Sequence, residues 1–215
     1  MKALPLVDPH SGQRVVRRGA EWEEARLAVI LLHGRGGSPE DLLVLANEWD
    51  VPDVAYVAPA AAHHTWYPES FLAPIERNEP WLTSALRTVE RLVDELEDGG
   101  IPADRVAVVG FSQGGCLGLE FAARHARRYR AIAGLSAGLI GPPGTPRAYR
   151  GSLAGTPVFL GCSDVDPHIP LGRVRESADV MRALSGIVDD RIYPGMGHTV
   201  SADEIEAVKA FLRAN

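Results

Sequence analysis

A regular alternation of short apolar runs with longer segments of helical pattern is the feature of this sequence that most constrains its fold. Strands that are apolar along their whole length are typical of a parallel sheet with both faces covered. The strands are predicted at residues 27–32, 54–58, 105–109, 131–135, 157–161 and 187–193, and the helices at residues 39–49, 81–97, 113–129, 171–184 and 203–212. The sequence therefore predicts an α/β fold with a mostly parallel central sheet and helices on both faces.

Length and charge narrow the classes of function. The chain has 215 residues, which fits a single domain spanning residues 1–215 with a full hydrophobic core. Its formal net charge of −6 argues against binding to nucleic acid or to anionic membranes, since both attract basic surfaces. No apolar run approaches the length of a membrane span, and the N-terminal residues do not form a signal peptide. We therefore expect a cytoplasmic protein whose partner is a small molecule.

The pentapeptide Gly-x-Ser-x-Gly occurs twice, centred on Ser112 and on Ser136. A nucleophile elbow needs a strand before the serine and a helix after it. Ser112 has both, because the predicted strand 105–109 precedes it and the predicted helix 113–129 follows. Ser136 also follows a strand, but the sequence after it is rich in glycine and proline and cannot form a helix. We predict that Ser112 is a nucleophile and that Ser136 lies in a turn at the end of a strand.

The other groups needed for acyl transfer follow predicted strands in the chain order of an α/β-hydrolase. A glycine-rich loop at residues 33–37 comes after the first strong strand, in the place of an oxyanion loop. The backbone N–H groups of Arg35 and Gln113 are the predicted oxyanion donors. A loop with two aspartates follows the strand at 157–161, and His198 follows the strand at 187–193.

These motifs resemble those of the phospholipase/carboxylesterase family of α/β-hydrolases, which includes acyl-protein thioesterases and bacterial carboxylesterases. The resemblance runs over nearly the whole chain from about residue 27, and Gly-Phe-Ser-Gln-Gly is rather specific for the family. The motifs that carry it are His-Gly-x-Gly at 33–36, Gly-Phe-Ser-Gln-Gly-Gly at 110–115, Asp-Pro-His-Ile-Pro at 166–170 and Gly-His at 197–198. It implies a hydrolase of carboxylic esters or thioesters that acts without a cofactor.

The chain departs from the family pattern at the acid. Family members usually have Gly-x-x-Asp-Pro-x-Val-Pro, with the acid three residues after the glycine that ends the strand. That spacing, counted from Gly161, selects Asp164, whereas the Asp-Pro-x-Ile-Pro context selects Asp166. We favour Asp166, because the proline that follows it fixes the backbone and aims the carboxylate. The other aspartate is then a solvated loop acid or a turn cap.

The substrate cleft is predicted to be open and partly aromatic. The segment at residues 63–74 follows a strand and carries three aromatic side chains, of which Trp66 and Phe71 are the candidates for lining the cleft; the alternative is a structural loop. Arg35 stands where relatives often have an apolar residue, and it either points to solvent or places a cation beside the substrate. The stretch at 137–156 is too short and too broken to form a cap domain.

The histidine and cysteine patterns do not predict a metal site. The chain contains seven histidines but no His-x-x-x-His pair at helical spacing, so we expect neither metal nor cofactor. Cys116 and Cys162 offer no disulfide framework, and neither has the context of a nucleophile.

We expect a serine carboxylesterase for short- to medium-chain esters, with Ser112, Asp166 and His198 as its catalytic triad. The alternatives within the family are a thioesterase acting on acyl-proteins or acyl-thioesters and a lysophospholipase. A further alternative in the same fold is acyl transfer or perhydrolysis, which changes only the acceptor. A binding module on a non-catalytic hydrolase scaffold is the alternative from another class. Whether the protein is a monomer or a homodimer is not predicted by the sequence.

Overall fold

A single seven-stranded sheet forms the centre of the protein in the computed structural model, which describes residues 8–214. The strands lie in the order β1-β3-β2-β4-β5-β6-β7, and from β3 to β7 every neighbouring pair is parallel. Their bounds are β1 Val15–Gly19, β2 Leu27–Leu32, β3 Val54–Pro59, β4 Val106–Phe111, β5 Ala131–Leu135, β6 Pro157–Ser163 and β7 Ile187–Tyr193. The six predicted strands and the mostly parallel sheet are confirmed.

Strand β1 was not predicted from the sequence. It pairs antiparallel with β3 at the edge of the sheet, with Val15 opposite Pro59 and Gly19 opposite Ala55. Only its first two residues are half-buried, and the remaining three are exposed. An edge strand has one neighbour and one covered face at most, so it lacks the continuous apolar run that marks the central strands.

The core lies in two layers, one on each face of the sheet. Side chains alternate between the faces, so that Ile30 of β2 packs into one layer and its neighbour Leu31 packs into the other. All six residues of β2 are buried. Each such aliphatic side chain contributes about 1.5–3 kcal/mol of transfer free energy.

Five helices cover these faces within residues 8–214: α1 Pro39–Trp49, α2 Trp81–Asp98, α3 Gln113–Arg124, α4 Leu171–Ala183 and α5 Ala202–Arg213. The buried residues of α2, α3 and α4 belong to one core layer, and those of α1 and α5 belong to the other. Helix α5 begins with a capping box, in which the N–H of Glu204 donates to Ser201 Oγ (3.2 Å) and the N–H of Ser201 donates to Glu204 Oε2 (2.6 Å).

Helix α3 ends five residues earlier than the predicted position 129. The backbone of Ala126 pairs with Gly151, and the N–H of Tyr129 donates to Thr156 Oγ1 (2.9 Å). These tertiary bonds replace the intrahelical ones, and a sequence pattern does not reveal them.

Residues 137–156 form no helix and no strand, so no cap domain is inserted at this position. The guanidinium of Arg173 holds the start of the stretch by donating to the carbonyls of Leu139 and Gly141, both at 2.6 Å. The start of the stretch therefore packs into the body of the protein, where Leu139 and Ile140 are buried.

Across the part of the chain that the structure describes, no helix is both long enough and apolar enough to cross a membrane.

Candidate active site

Three loops at the carboxyl end of the sheet bring a serine, a histidine and an aspartate together. Ser112 follows β4, Asp166 lies in the loop after β6, and His198 lies in the loop after β7. Ser112 Oγ is 2.8 Å from His198 Nε2, and His198 Nδ1 is 2.7 Å from Asp166 Oδ2. The structure thus places the three predicted residues in one hydrogen-bonded chain with the geometry that nucleophilic catalysis requires.

The backbone at Ser112 makes a sharp turn between β4 and α3. Its dihedral angles, φ 53° and ψ −119°, lie in a region that residues other than glycine rarely adopt. Strain of this kind costs roughly 1–3 kcal/mol and is concentrated at functional sites. The turn also needs two glycines, because a Cβ on Gly110 would lie 2.4 Å from the Gly114 carbonyl oxygen and one on Gly114 would lie 2.1 Å from the Leu32 carbonyl oxygen.

Ser136, the centre of the second pentapeptide, is placed differently. It is fully buried at the end of β5, and the irregular stretch 137–156 follows it. Its hydroxyl donates to the carbonyl of Thr199 (3.2 Å) and not to a histidine ring. This is the strand-end turn that the sequence predicts.

Asp166 is the acid that contacts the histidine. Its Oδ2 accepts from His198, while Oδ1 accepts from the N–H groups of His168 (2.8 Å) and Ile169 (3.0 Å). Burial opposes ionisation of this carboxyl, but the bonds from His198 and from the two backbone groups outweigh it. The pKa of Asp166 therefore lies below its ordinary value, and the group is a carboxylate at neutral pH.

Asp164 has a different contact. Its Oδ1 accepts from the N–H of Gly195 (2.8 Å), three residues before His198. The exposed Asp164 thus links the acid loop to the histidine loop without touching the imidazole ring. Of the two aspartates that the sequence left open, the structure brings Asp166 to His198.

Two backbone N–H groups beside Ser112 are free to bind a substrate oxygen. Within residues 8–214, the N–H groups of Arg35 and Gln113 donate to no protein oxygen. Gln113 begins α3, where the helix dipole favours negative charge. The glycine-rich loop at residues 33–37 adjoins Ser112, since a Cβ on Gly34 would lie 3.5 Å from Ser112 Cβ.

A cleft of about 520 Å³ opens over Ser112 and His198. Phe71 lies in its lining, in the place that the sequence predicts, and Tyr67, Phe111 and Ile169 add further apolar surface. The sequence did not identify Phe111 as a lining residue, although it directly precedes the predicted nucleophile.

The predicted lining role does not fit Trp66. Its side chain is fully buried, and its indole N–H donates to the carbonyl of His33 (2.9 Å). The ring packs against the rings of His33 and His10, with centroids 5.1 and 5.4 Å away. Trp66 therefore lies beneath the cleft wall, whereas its neighbour Tyr67, although only 1% exposed, is among the residues that line the cavity.

The two cysteines lie close to the site but are not activated. Burial raises the pKa of Cys116 to about 12, and burial together with the neighbouring Asp166 raises the pKa of Cys162 to about 12. Both stay thiols at neutral pH and are poor nucleophiles. No cluster of three or more histidine, cysteine, aspartate or glutamate side chains within residues 8–214 is placed to hold a metal ion.

Two buried histidines under the cleft wall predict a pH-dependent stability. His10 Nδ1 accepts from the N–H of Ala62 and His33 Nε2 accepts from the N–H of Ala61, both at 3.1 Å. Each ring must therefore be neutral in the folded protein, and burial lowers the pKa of both below the ordinary value of about 6.5. The unfolded chain binds more protons as the pH falls through about 6.5, so the free energy of unfolding should decrease below that pH.

Urea unfolding at several pH values between about 7.5 and 5.5 measures this effect. His10→Gln and His33→Gln should each flatten the dependence, whereas the exposed His63→Gln should leave it unchanged. A free energy of unfolding that is constant over this range in the parent protein would contradict the assignment of two neutral rings.

Comparison with known proteins places these features in a family. Residues 13–215 match the family model described as phospholipase/carboxylesterase. Acyl-protein thioesterase 1 of Saccharomyces cerevisiae is 26% identical in an alignment of 225 positions, gaps included, that covers 92% of this chain and 96% of the yeast protein. Acyl-protein thioesterase 1 of Gibberella zeae is 33% identical over 124 residues, a match that spans 57% of this chain and only about half (53%) of that relative.

Solved structures of a phospholipase/carboxylesterase and an esterase are also similar to this chain. A phospholipase/carboxylesterase from Dyadobacter fermentans superimposes with a TM-score of 0.91 at 40% identity, covering 96% of this chain and 99% of the other. Esterase PE8 superimposes with a TM-score of 0.78 at 25% identity, covering 94% of this chain and 98% of the other.

Proposed function

This chain belongs to the phospholipase/carboxylesterase family of α/β-hydrolases, and we propose that it is a serine carboxylesterase acting on short- to medium-chain carboxylic esters. It is a hydrolase, as its family and relatives are. The observation that carries the proposal is the hydrogen-bonded chain from Ser112 through His198 to Asp166, beside two free backbone N–H groups.

In the proposed mechanism His198 Nε2 removes the hydroxyl proton of Ser112, and Oγ attacks the ester carbonyl carbon. The carbonyl oxygen becomes an oxyanion held by the N–H groups of Arg35 and Gln113, each worth roughly 3–4 kcal/mol of barrier. His198 then gives its proton to the departing alcohol, which leaves an acyl group on Ser112. A water molecule, deprotonated by the same imidazole, releases the acid.

Asp166 has an indirect part in this mechanism. Its carboxylate accepts from His198 Nδ1–H, which leaves Nε2 free to act as the base. It also stabilises the imidazolium that forms after proton transfer. The depressed pKa of Asp166 keeps the group ionised while His198 gains and loses its proton.

A fluorophosphonate probe tests the proposed activity. Such a reagent modifies an activated serine, so mass spectrometry of the labelled and digested protein should find the adduct on Ser112 and none on Ser136. An absence of labelling in the folded protein would exclude a serine hydrolase of this type and favour a binding module.

A thioesterase is the second candidate, because the relatives from Saccharomyces cerevisiae and Gibberella zeae are named acyl-protein thioesterase 1. The geometry at Ser112 serves an ester and a thioester alike. Matched oxygen esters and thioesters with the same acyl group distinguish them, since a kcat/KM that is higher for every thioester would replace our proposal with this one.

The open cleft predicts a limit on acyl length. Each methylene buried against the apolar wall contributes about 0.8 kcal/mol, or about fourfold in kcat/KM, until the cleft is filled. With no cap to cover a longer chain, further methylenes stay in water. We therefore expect kcat/KM for p-nitrophenyl esters to rise from acetate to a medium chain and then level off, with no increase when the substrate forms an emulsion.

The measurement compares esters of graded length below and above their solubility limit, with acetate as the reference. A steady rise to long acyl chains, or a marked increase at the oil–water interface, would show that the protein encloses its substrate more fully than this cleft does.

A further inference from the structure

We call residues Thr65–Glu69 the wall segment: Tyr67, Pro68 and Glu69 line one side of the cleft, and Thr65 and Trp66 precede them in the chain. The segment lies against both residues whose backbone N–H groups adjoin Ser112, namely Arg35 and Gln113. The side chains of both residues donate hydrogen bonds to this segment. The same two residues therefore line the cleft, carry the backbone N–H groups proposed as oxyanion donors, and bind the wall segment through their side chains.

Gln113 uses its whole amide for this contact. Its side chain is buried, its Oε1 accepts from the N–H of Trp66 (2.9 Å), and its Nε2 donates to the carbonyl of Tyr67 (2.7 Å) and to Thr65 Oγ1 (3.2 Å). The first residue of α3 is thus held by three successive residues of the wall segment.

Arg35 holds the other half of the segment. Its Nη1 donates to the carbonyl of Pro68 (2.8 Å), and its Nη2 donates to those of Tyr67 (3.0 Å) and Glu69 (2.6 Å). Three consecutive carbonyls accept from one guanidinium, whose planar fork suits several acceptors at once. The Glu69 carboxylate pairs instead with Arg77 (3.2 Å).

The carbonyl of Tyr67 is the point where the two meet, since it accepts from both Arg35 and Gln113. We propose that Arg35 is a positioning residue, which fixes the oxyanion donors relative to each other by binding to the same carbonyl as Gln113. This proposal rests on the function proposed above, because it assigns a consequence to the oxyanion donors of that reaction.

The need for such a link follows from the loop that carries Arg35. Its neighbours are Gly34, Gly36 and Gly37, and Gly36 has φ +77°. Glycine-rich backbone retains many conformations unless it is held. Oxyanion donors act only when they lie about 2.7–3.1 Å from the developing charge, and a misplacement of about 1 Å costs roughly 10²-fold in rate.

The glycine-rich loop that carries Arg35 is also held by hydrogen bonds that do not involve the guanidinium. These bonds limit the loss of activity expected when Arg35 is replaced. The N–H of Gly36 donates to the carbonyl of His64 (2.7 Å), and His64 Nδ1 donates to the carbonyl of Gly37 (2.8 Å). These bonds persist when the guanidinium is removed. We therefore expect Arg35→Met to lower kcat by about 10- to 100-fold, within the loss that one oxyanion donor accounts for.

The change should appear in kcat and leave KM within about threefold, because the donors bind the oxyanion more strongly than the ground-state carbonyl. Arg35→Lys keeps the charge and can donate to some of the three carbonyls, so it should recover part of kcat. Arg77→Met is the matched control: it removes an exposed arginine that contacts the same segment only at the Glu69 carboxylate, and it should leave kcat unchanged.

Neutral and anionic esters of similar size separate this role from substrate binding. A positioning residue loses the same factor in kcat on both. If Arg35→Met raises KM for the anionic ester alone, then Arg35 binds the substrate and the proposal is wrong. An unchanged kcat in Arg35→Met, or an equal loss in Arg77→Met, overturns it as well.

The rate of inactivation by a fluorophosphonate distinguishes failure of the positioning role from failure of the proposed function. Failure of the parent protein to react removes the serine-hydrolase assignment itself. If the parent reacts at Ser112 and Arg35→Met reacts equally fast, only the positioning role is wrong. Near-ultraviolet circular dichroism checks that each variant is folded, and should Arg35→Met not fold, the comparison of Arg35→Lys with the parent decides in its place.

Discussion

Replacement of Ser112 by alanine is expected to lower kcat/KM for ester hydrolysis by about four to six orders of magnitude. The reason is that Ser112 Oγ is the oxygen bonded to His198 Nε2, so its removal deletes the group proposed to form the acyl-enzyme. Ser136→Ala should stay within about threefold of the parent. It loses only the bond to the Thr199 carbonyl, worth about 1 kcal/mol of stability.

The comparison is made with a soluble aryl ester, at protein concentrations high enough to detect the residual rate. Both variants must show the far-ultraviolet circular dichroism of the parent, because Ser136 is fully buried. Equal losses in the two folded variants would show that the strained turn after β4 does not mark the nucleophile.

Replacement of Asp166 by asparagine is expected to cost roughly 10⁴-fold in kcat. In the parent, Asp166 Oδ1 accepts from two backbone N–H groups and Oδ2 accepts from His198. An asparagine keeps one oxygen, and the two backbone donors retain it, so its NH₂ group turns to His198 Nδ1. The imidazole then carries its proton on Nε2, where it can no longer take the proton of Ser112.

Asp164→Asn is the matched comparison for this variant and should stay within about tenfold of the parent. An asparagine oxygen can still accept from the N–H of Gly195, so the link between the acid and histidine loops remains. A larger loss in Asp164→Asn than in Asp166→Asn would mean that distance from the strand end, and not the Asp-Pro context, selects the acid.

The alternation of strands and helices was predictable because a central parallel strand needs apolar side chains on both faces. Strand β2 meets this requirement at every position. At the edge the requirement disappears, and β1, with Val15 and Val16 followed by three exposed residues, leaves no such pattern. The end of α3 could not be predicted from the sequence either, since the hydrogen bond from Tyr129 to Thr156 joins residues 27 positions apart.

The candidate site shows a similar division. Ser112, Asp166 and His198 follow strand ends in a recognisable order, and the structure brings them together. Which of two consecutive aromatic residues lines the cleft depends on how the segment packs against the protein, so the sequence could not distinguish Trp66 from Tyr67. The hydrogen bonds of Arg35 could not be predicted from the sequence either, because its three acceptors are backbone carbonyls, which every residue possesses.

The position of β7 has a consequence for how this protein loses activity. Among residues 8–214 this last strand pairs only with β6, and its first residue, Ile187, is 67% exposed. Opening of an edge element costs less free energy than global unfolding, because fewer buried contacts are broken. His198 follows this strand directly, so local opening at the edge would remove the base while the centre of the sheet persists. Activity should therefore report on opening at the β7 edge of the sheet before it reports on unfolding of the core.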